Sequence, residues 1–211
     1  MTILSNDNIT VSSSYVRFSD LTINVNATIS ISSGAQIRAW LAGVTTSLVL
    51  NGTINGSGQL VNDSRLNLSG SGTFASSIKV WVANVLNINS MTLEFANEFK
   101  LNSNCYINTG SNVTFSGTVF STSAVNRLIN VGTLTISTSN FFTTGSGNAS
   151  QILECNNYNP SNSNVIYTIS GELPVSQDGF HDLTINGTVT SSSNFNITGN
   201  FTNSGSFSSL N

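Results

Sequence analysis

The feature that most limits what this chain can fold into is a turn signal that recurs before any strand can grow long. In FHDLTINGTVTSSSNFNITGNFTNSGSF, residues 180–207, Leu183, Ile185, Val189, Phe195, Ile197, Phe201 and Phe207 are separated by Thr, Ser and Asn, and Gly187, Gly199 and Gly205 punctuate them every six to twelve residues. Successive side chains of a strand point to opposite faces, so the alternation places the apolar residues on one side. Glycine supplies the corners because it enters positive φ at no steric cost. A chain that turns every few residues and keeps the same side inward winds round a dry axis.

The same pattern runs through the rest of the chain. NITVSSSYVRF and LTINVNATISISSGAQI open it, with Leu21, Ile23, Val25, Ile29 and Ile31 as inward candidates, and the tetrad Asp20-Leu21-Thr22-Ile23 returns verbatim at Asp182-Leu183-Thr184-Ile185. IRAWLAGV at 37–44 matches IKVWVANV at 78–85, with another strand-turn series between them. Repeats at a fixed period of roughly 20 to 50 residues mark solenoids, and the intervening series divides this interval into two turns of roughly 20 residues, each with three short strands. These readings predict an all-β, single-domain right-handed parallel β-helix (β-solenoid) over 1–211, with about ten coils of roughly 20 residues. The hand follows from the general crossover rule. One departure is expected around 156–180, within a segment starting at Gln151, where Pro160 and Pro174 fall, because proline cannot donate to a ladder.

Composition narrows the function. Only 7% of residues are charged, against about 25% in an ordinary soluble domain. Arg17, Arg38, Arg65, Lys79, Lys100 and Arg127 are scattered along the sequence, which argues against nucleic acid as a partner and against anionic membrane surfaces. No run approaches the roughly 20 apolar residues of a membrane span, and the first residues lack a signal-peptide pattern. Cys105 and Cys155 form neither a disulfide framework nor a metal motif; they read as small buried hydrophobes, with a bridge between them as the alternative.

Catalysis would need paired carboxylates roughly 5 to 10 Å apart. Glu172, Asp178, His181 and Asp182 are the densest group and Glu94 with Glu98 a second pair, but the first reads as the charge of a proline-bearing loop and the second as solvent-facing, and no catalytic residue, metal site or cofactor is expected. Gly-Ser-Gly at 56–58, 70–72 and 145–147 has no helix behind it and reads as corners, not phosphate cradles. The candidate binding residues are Arg38, Trp40, Lys79 and Trp81. Alternation turns Arg38 with Trp40, and Lys79 with Trp81, to the outer face, each cation beside its indole and the two indoles two coils apart. Such a pair serves as an anchor for another subunit, as a platform for sugars, or, if the period slips, as core.

Residues 180–207 resemble the rung repeats of bacterial surface β-helix proteins: Phe180, then Asp182-Leu183-Thr184-Ile185, then Ile197-Thr198-Gly199-Asn200-Phe201-Thr202. Adhesins, autotransporter passengers and the parallel solenoids of phage tailspikes and fibres are built this way. The resemblance implies a non-enzymatic structural or adhesive role on an extracellular or virion surface. The first expectation is a virion fibre or decoration protein that associates with copies of itself, and the alternative is an extracellular filament of end-to-end stacked solenoids. Host surface glycans and other particle proteins are further candidate partners. A third class, an ice- or glycan-binding module, draws on outward threonines at 133–138 and 183–190; the irregular spacing of the coils speaks against ice.

Overall fold

Strands of two to five residues are all that the corners leave room for, and every ladder between them is parallel, as a wound chain requires. The computed structural model describes residues 1–145, 152–155 and 163–209, the side chains of 143–145 and 209 apart. Its strands stack as a β-solenoid of about ten turns. At roughly 4.8 Å per turn the stack is about 50 Å long.

Three walls close each turn. Wall 1 is an eight-stranded sheet from Thr2–Ile3 and Asp20–Ile23 to Leu128–Asn130 and Leu153–Glu154. Wall 2 begins as the sheet Asn8–Val11, Thr28–Ile31, Thr53–Gly56 and Thr73–Phe74. After a break in the ladder it resumes as six strands from Thr92–Phe95 through Asn112–Phe115, Thr133–Ile136, Asn164–Tyr167 and Asp182–Ile185 to Phe201–Asn203. Phe74 stacks on Phe95 across the break, ring centroids 5.8 Å apart. Wall 3 comprises seven strands including Val16–Phe18, Gln36–Ala39, Gln59–Asn62, Lys79–Val82 and Phe99–Leu101, followed by Gly171–Glu172, Thr188–Ser191 and Ser206–Ser209.

The inward columns are aliphatic and aromatic. Leu21, Leu48, Leu68, Ile88 and Ile107 stand in one register column and all are buried. Phe95, Phe115 and Phe141 run up the axis with Phe99 packed against the first two, centroids 4.7 to 5.8 Å apart. Offset and edge contacts of this kind add to the apolar area that each ring buries. The corner from wall 1 to wall 2 is turned by residues at positive φ: Asn6, Asn26, Gly70, Ser90 and Gly110. Asparagine shares that corner because its short polar side chain tolerates the left-handed region. Elsewhere close approach decides: a Cβ on Gly72 would overlap the Gly52 carbonyl, and one on Gly205 the Gly187 carbonyl.

The structure departs from the sequence reading at several points. Val25, expected inward, is 56% exposed, because Asp20–Ile23 ends before it and the turn through Asn26 hands the inward place to Ala27. Phe201 keeps its inward register opposite Leu183 yet is 48% exposed, since it lies in the last coil. Asparagine is not confined to the exterior: Asn62, Asn126 and Asn130 are buried. Asn62 and Asn130 donate to the backbone at corners, Asn62 Nδ2 to the Asn84 carbonyl at 2.7 Å and Asn130 Nδ2 to the Asn164 carbonyl at 3.1 Å. Of the segment expected to leave the coil, 156–162 lie outside the described residues. Within the rest of that segment Asn164–Tyr167 is paired on both sides and Gly171–Glu172 is paired to Thr188–Ser191, while 173–179 form no strand. Cys105 and Cys155 are both buried and free, so the bridge is not formed.

Candidate interaction face

Register decides what each wall shows outward. On wall 3 the outward column runs Arg17, Arg38, Val61, Trp81, Lys100 and Phe120, one residue per coil. Four of the six cations therefore belong to one wall, since Lys79 also lies on it, two positions before Trp81 in the same strand. Asp63 and Glu98 sit at its margins.

The expected pairing of each cation with its neighbouring indole is not what forms. Arg17 lies over Trp40, 4.5 Å from the ring centroid, and over Tyr15 at 4.9 Å. Lys100 lies over Trp81 at 4.4 Å. Arg38 instead donates from Nη2 to Asp63 at 2.9 Å. Its Nε lies 2.7 Å from the second carboxylate oxygen without the N–H pointing at it, so that contact is an ion pair and not a hydrogen bond. Lys79 reaches Glu98 at 3.7 Å, a loose surface pair.

The match between the two Trp-containing segments places Trp81 two coils above Trp40, but the register places Trp81 two coils above Arg38, through Val61. The reason is the corner at 40–45, which lengthens this coil: Ile37 pairs with Leu60, and Leu60 with Val80 instead of Ile78. Trp40 heads that corner, 41% exposed beside exposed Leu41 and Val44. Trp81 is half-buried between Val61 and Lys100, with its Nε1 buried and without a hydrogen-bond partner. One face of each indole is thus covered by a cation.

The acidic groups are committed to neighbouring donors. Asp178 accepts from the Cys155 amide at 2.8 Å and from Ser176 at 2.6 Å, Asp182 accepts from the Asn200 amide at 2.7 Å, and Glu172 accepts from Ser192. His181 Nδ1 meets Thr198 at 3.2 Å and its Nε2 lies 4.0 Å from Asp182. An open hollow of about 350 Å³ lies beside Asp178, lined by Gln177, Asn194, Phe195 and Asn196. Glu94 and Glu98 are parted by the corner at Ala96 and Asn97, one on wall 2 and the other just before a wall 3 strand. Gly-Ser-Gly at 56–58 and 70–72 lies at corners; most of 145–147 is outside the described residues.

On wall 2 the outward threonines hold their columns. Thr114, Thr135, Ile166, Thr184 and Thr202 stay in register although the coils between them differ in length, the step from Thr135 to Ile166 being the longest. Unequal spacing in the sequence is taken up at corners and does not break the array; Glu94, Ile166 and Asp182 interrupt it chemically.

Sequence reasoning missed Tyr15, Arg17 and Lys100. The signal was present: Arg17 and Lys100 each alternate with apolar residues in a strand and Tyr15 directly precedes the first of these strands, but the coils carrying them differ in spacing. No protein-family model, curated protein or solved structure matches this chain.

Proposed function

We propose that this chain is a fibre-forming structural protein of an exterior surface, on a virion or a cell, whose copies stack end to end by continuing one another's ladders. The observation that supports this is what the terminal coils expose. In the first coil the inward column shows Ile9 and Val16, each 38% exposed; in the last it shows Phe201 at 48%. Between them the corresponding residues are buried, as with Ile29 and Leu183.

Whatever lies against these two edges has to add strands in parallel register and cover apolar side chains. A second copy meets both requirements. Its Asn8–Val11 follows Phe201–Asn203 on wall 2, and its Val16–Phe18 follows Ser206–Ser209 on wall 3, with the same walls in the same chain order. The edge contacts among Phe180, Phe195, Phe207 and Phe201 lead directly to the exposed end. The role is mechanical, because the carboxylates are tied to structural donors, and the likeness of residues 180–207 to adhesin and tailspike rungs points to an exterior location.

Light scattering and negative-stain microscopy across a concentration series test the reading. Rods whose lengths are multiples of about 50 Å are expected. Phe201→Asp with Phe207→Asp stops growth and lowers the unfolding midpoint only modestly, since Phe201 is exposed and Phe207 packs only partly against the core. A species that stays monomeric at every concentration overturns it.

A further inference from the structure

We propose that wall 3, from Tyr15 to Lys100, binds an acidic polysaccharide laid along the coil axis. This deepens the exterior role but does not depend on end-to-end stacking.

Two cations of this wall are already neutralised, Arg38 by Asp63 and Lys79 by Glu98. Arg17 and Lys100 have no acidic partner among the described residues. Both are held on aromatic faces, Arg17 against Tyr15 and Trp40 and Lys100 against Trp81. A cation fixed this way keeps its charge and its outward donors while having lost most of its rotamer freedom, so little further ordering opposes the arrival of an anion. The chain as a whole is net negative at -3, so a wall with two unneutralised cations is the exception on this surface and steers an anionic partner to itself.

Arg17 and Lys100 are four coils apart in one column, roughly 19 Å along the axis. Between them the surface offers the Arg38–Asp63 pair and the rim of Trp81. That arrangement suits an extended polymer with widely spaced carboxylates or sulfates and with C–H faces between them. It does not suit a single-stranded nucleic acid, whose bases need open aromatic faces to stack on; here each indole carries a cation on one face. A neutral glycan would leave both cations unanswered.

The test uses the non-assembling Phe201→Asp, Phe207→Asp chain, so that binding is scored whether or not the fibre reading holds. Titration with polygalacturonate as probe is expected to give binding that weakens with salt. Arg17→Gln and Lys100→Gln are each expected to lower affinity about tenfold, the scale of one charge-assisted contact, while Arg65→Gln, beyond the corner that ends this wall, leaves it unchanged. Three results overturn the proposal: no binding of the polyuronate, an equal loss in Arg65→Gln, or tighter binding of polyglutamate or single-stranded DNA than of the polyuronate.

Discussion

Raising the pH from 8 to 10 should destabilise this solenoid far more than its few charges suggest, and the cause lies in two thiols. Burial pushes Cys105 and Cys155 well above their ordinary value of 9.0; at Cys155 nearby Asp178 and Glu154 push the same way, while hydrogen bonds from Ser176 and Ser163 partly oppose them. Burial, with the neighbouring Cys155, likewise raises Tyr167 above its ordinary 10.0. Below pH 9 these groups are protonated in both folded and unfolded chains, and their stabilising burial is intact. Above pH 9 the unfolded chain releases protons that the folded chain keeps, so the folded state loses about 1.4 kcal/mol per pH unit for each thiol. Between pH 8 and 10 the pair removes about 3 kcal/mol, a large share of the roughly 5 to 15 kcal/mol of a typical domain, and Tyr167 steepens the fall beyond pH 10. Urea unfolding midpoints at pH 8, 9 and 10, measured under reductant, read this directly. Cys105→Ala with Cys155→Ala lowers stability at pH 8 through the cavities it leaves, but it should remove most of the pH slope. An unchanged slope in that double variant, or thiols that titrate near 9 in the folded protein, would refute the reasoning.

Two further outcomes follow from close packing. Gly187→Ala should cost about 2 kcal/mol, the scale of an overpacked core, because the new Cβ falls inside the Ile169 carbonyl and Gly205 is stacked above; a Ser204→Ala variant with an equal loss would show that the corner is generally fragile instead. Trp81→Ser should destabilise by about 2 kcal/mol and Trp40→Ser by under about 1 kcal/mol, since only the first ring is sandwiched in the ladder. Equal urea midpoints for the two would contradict the register.

The parallel winding was legible because alternation and corners are local signals, each carried by four or five residues such as Asp182-Leu183-Thr184-Ile185. The length of a coil is not local. Ala27 displaces Val25 from the core because the strand stops at Ile23, and nothing in LTINVNATI announces the stop except Asn26, one of two asparagines there. Buried Asn62 and Asn130 look like any other surface Asn in the sequence, since what draws them inward is a corner carbonyl from the next coil, far off along the chain at Asn84 and Asn164. Of this face, Arg38, Trp40, Lys79 and Trp81 were found but paired wrongly, because a match by sequence type assumes a constant period.

The period is not constant, and the solenoid has no need of it. Its ladders fix which strands stack; the corners absorb whatever chain is left over. The path from Leu21 to its partner Leu48 is longer than the path from Leu66 to its partner Leu86, yet both land in one sheet in register. Loop closure rises only slowly with length, so a few extra residues at an exposed corner cost little, whereas a one-residue slip in a strand would turn every inward side chain to water. Selection for stability therefore acts on register and leaves spacing free. The outward column of wall 3 follows from this. Arg17, Arg38, Val61, Trp81 and Lys100 are unevenly spaced in the sequence, with the longest step from Arg38 to Val61 and the shortest from Trp81 to Lys100, and still stand one above another. No fixed-period reading lines them up, yet any ligand lying along the axis meets them in sequence.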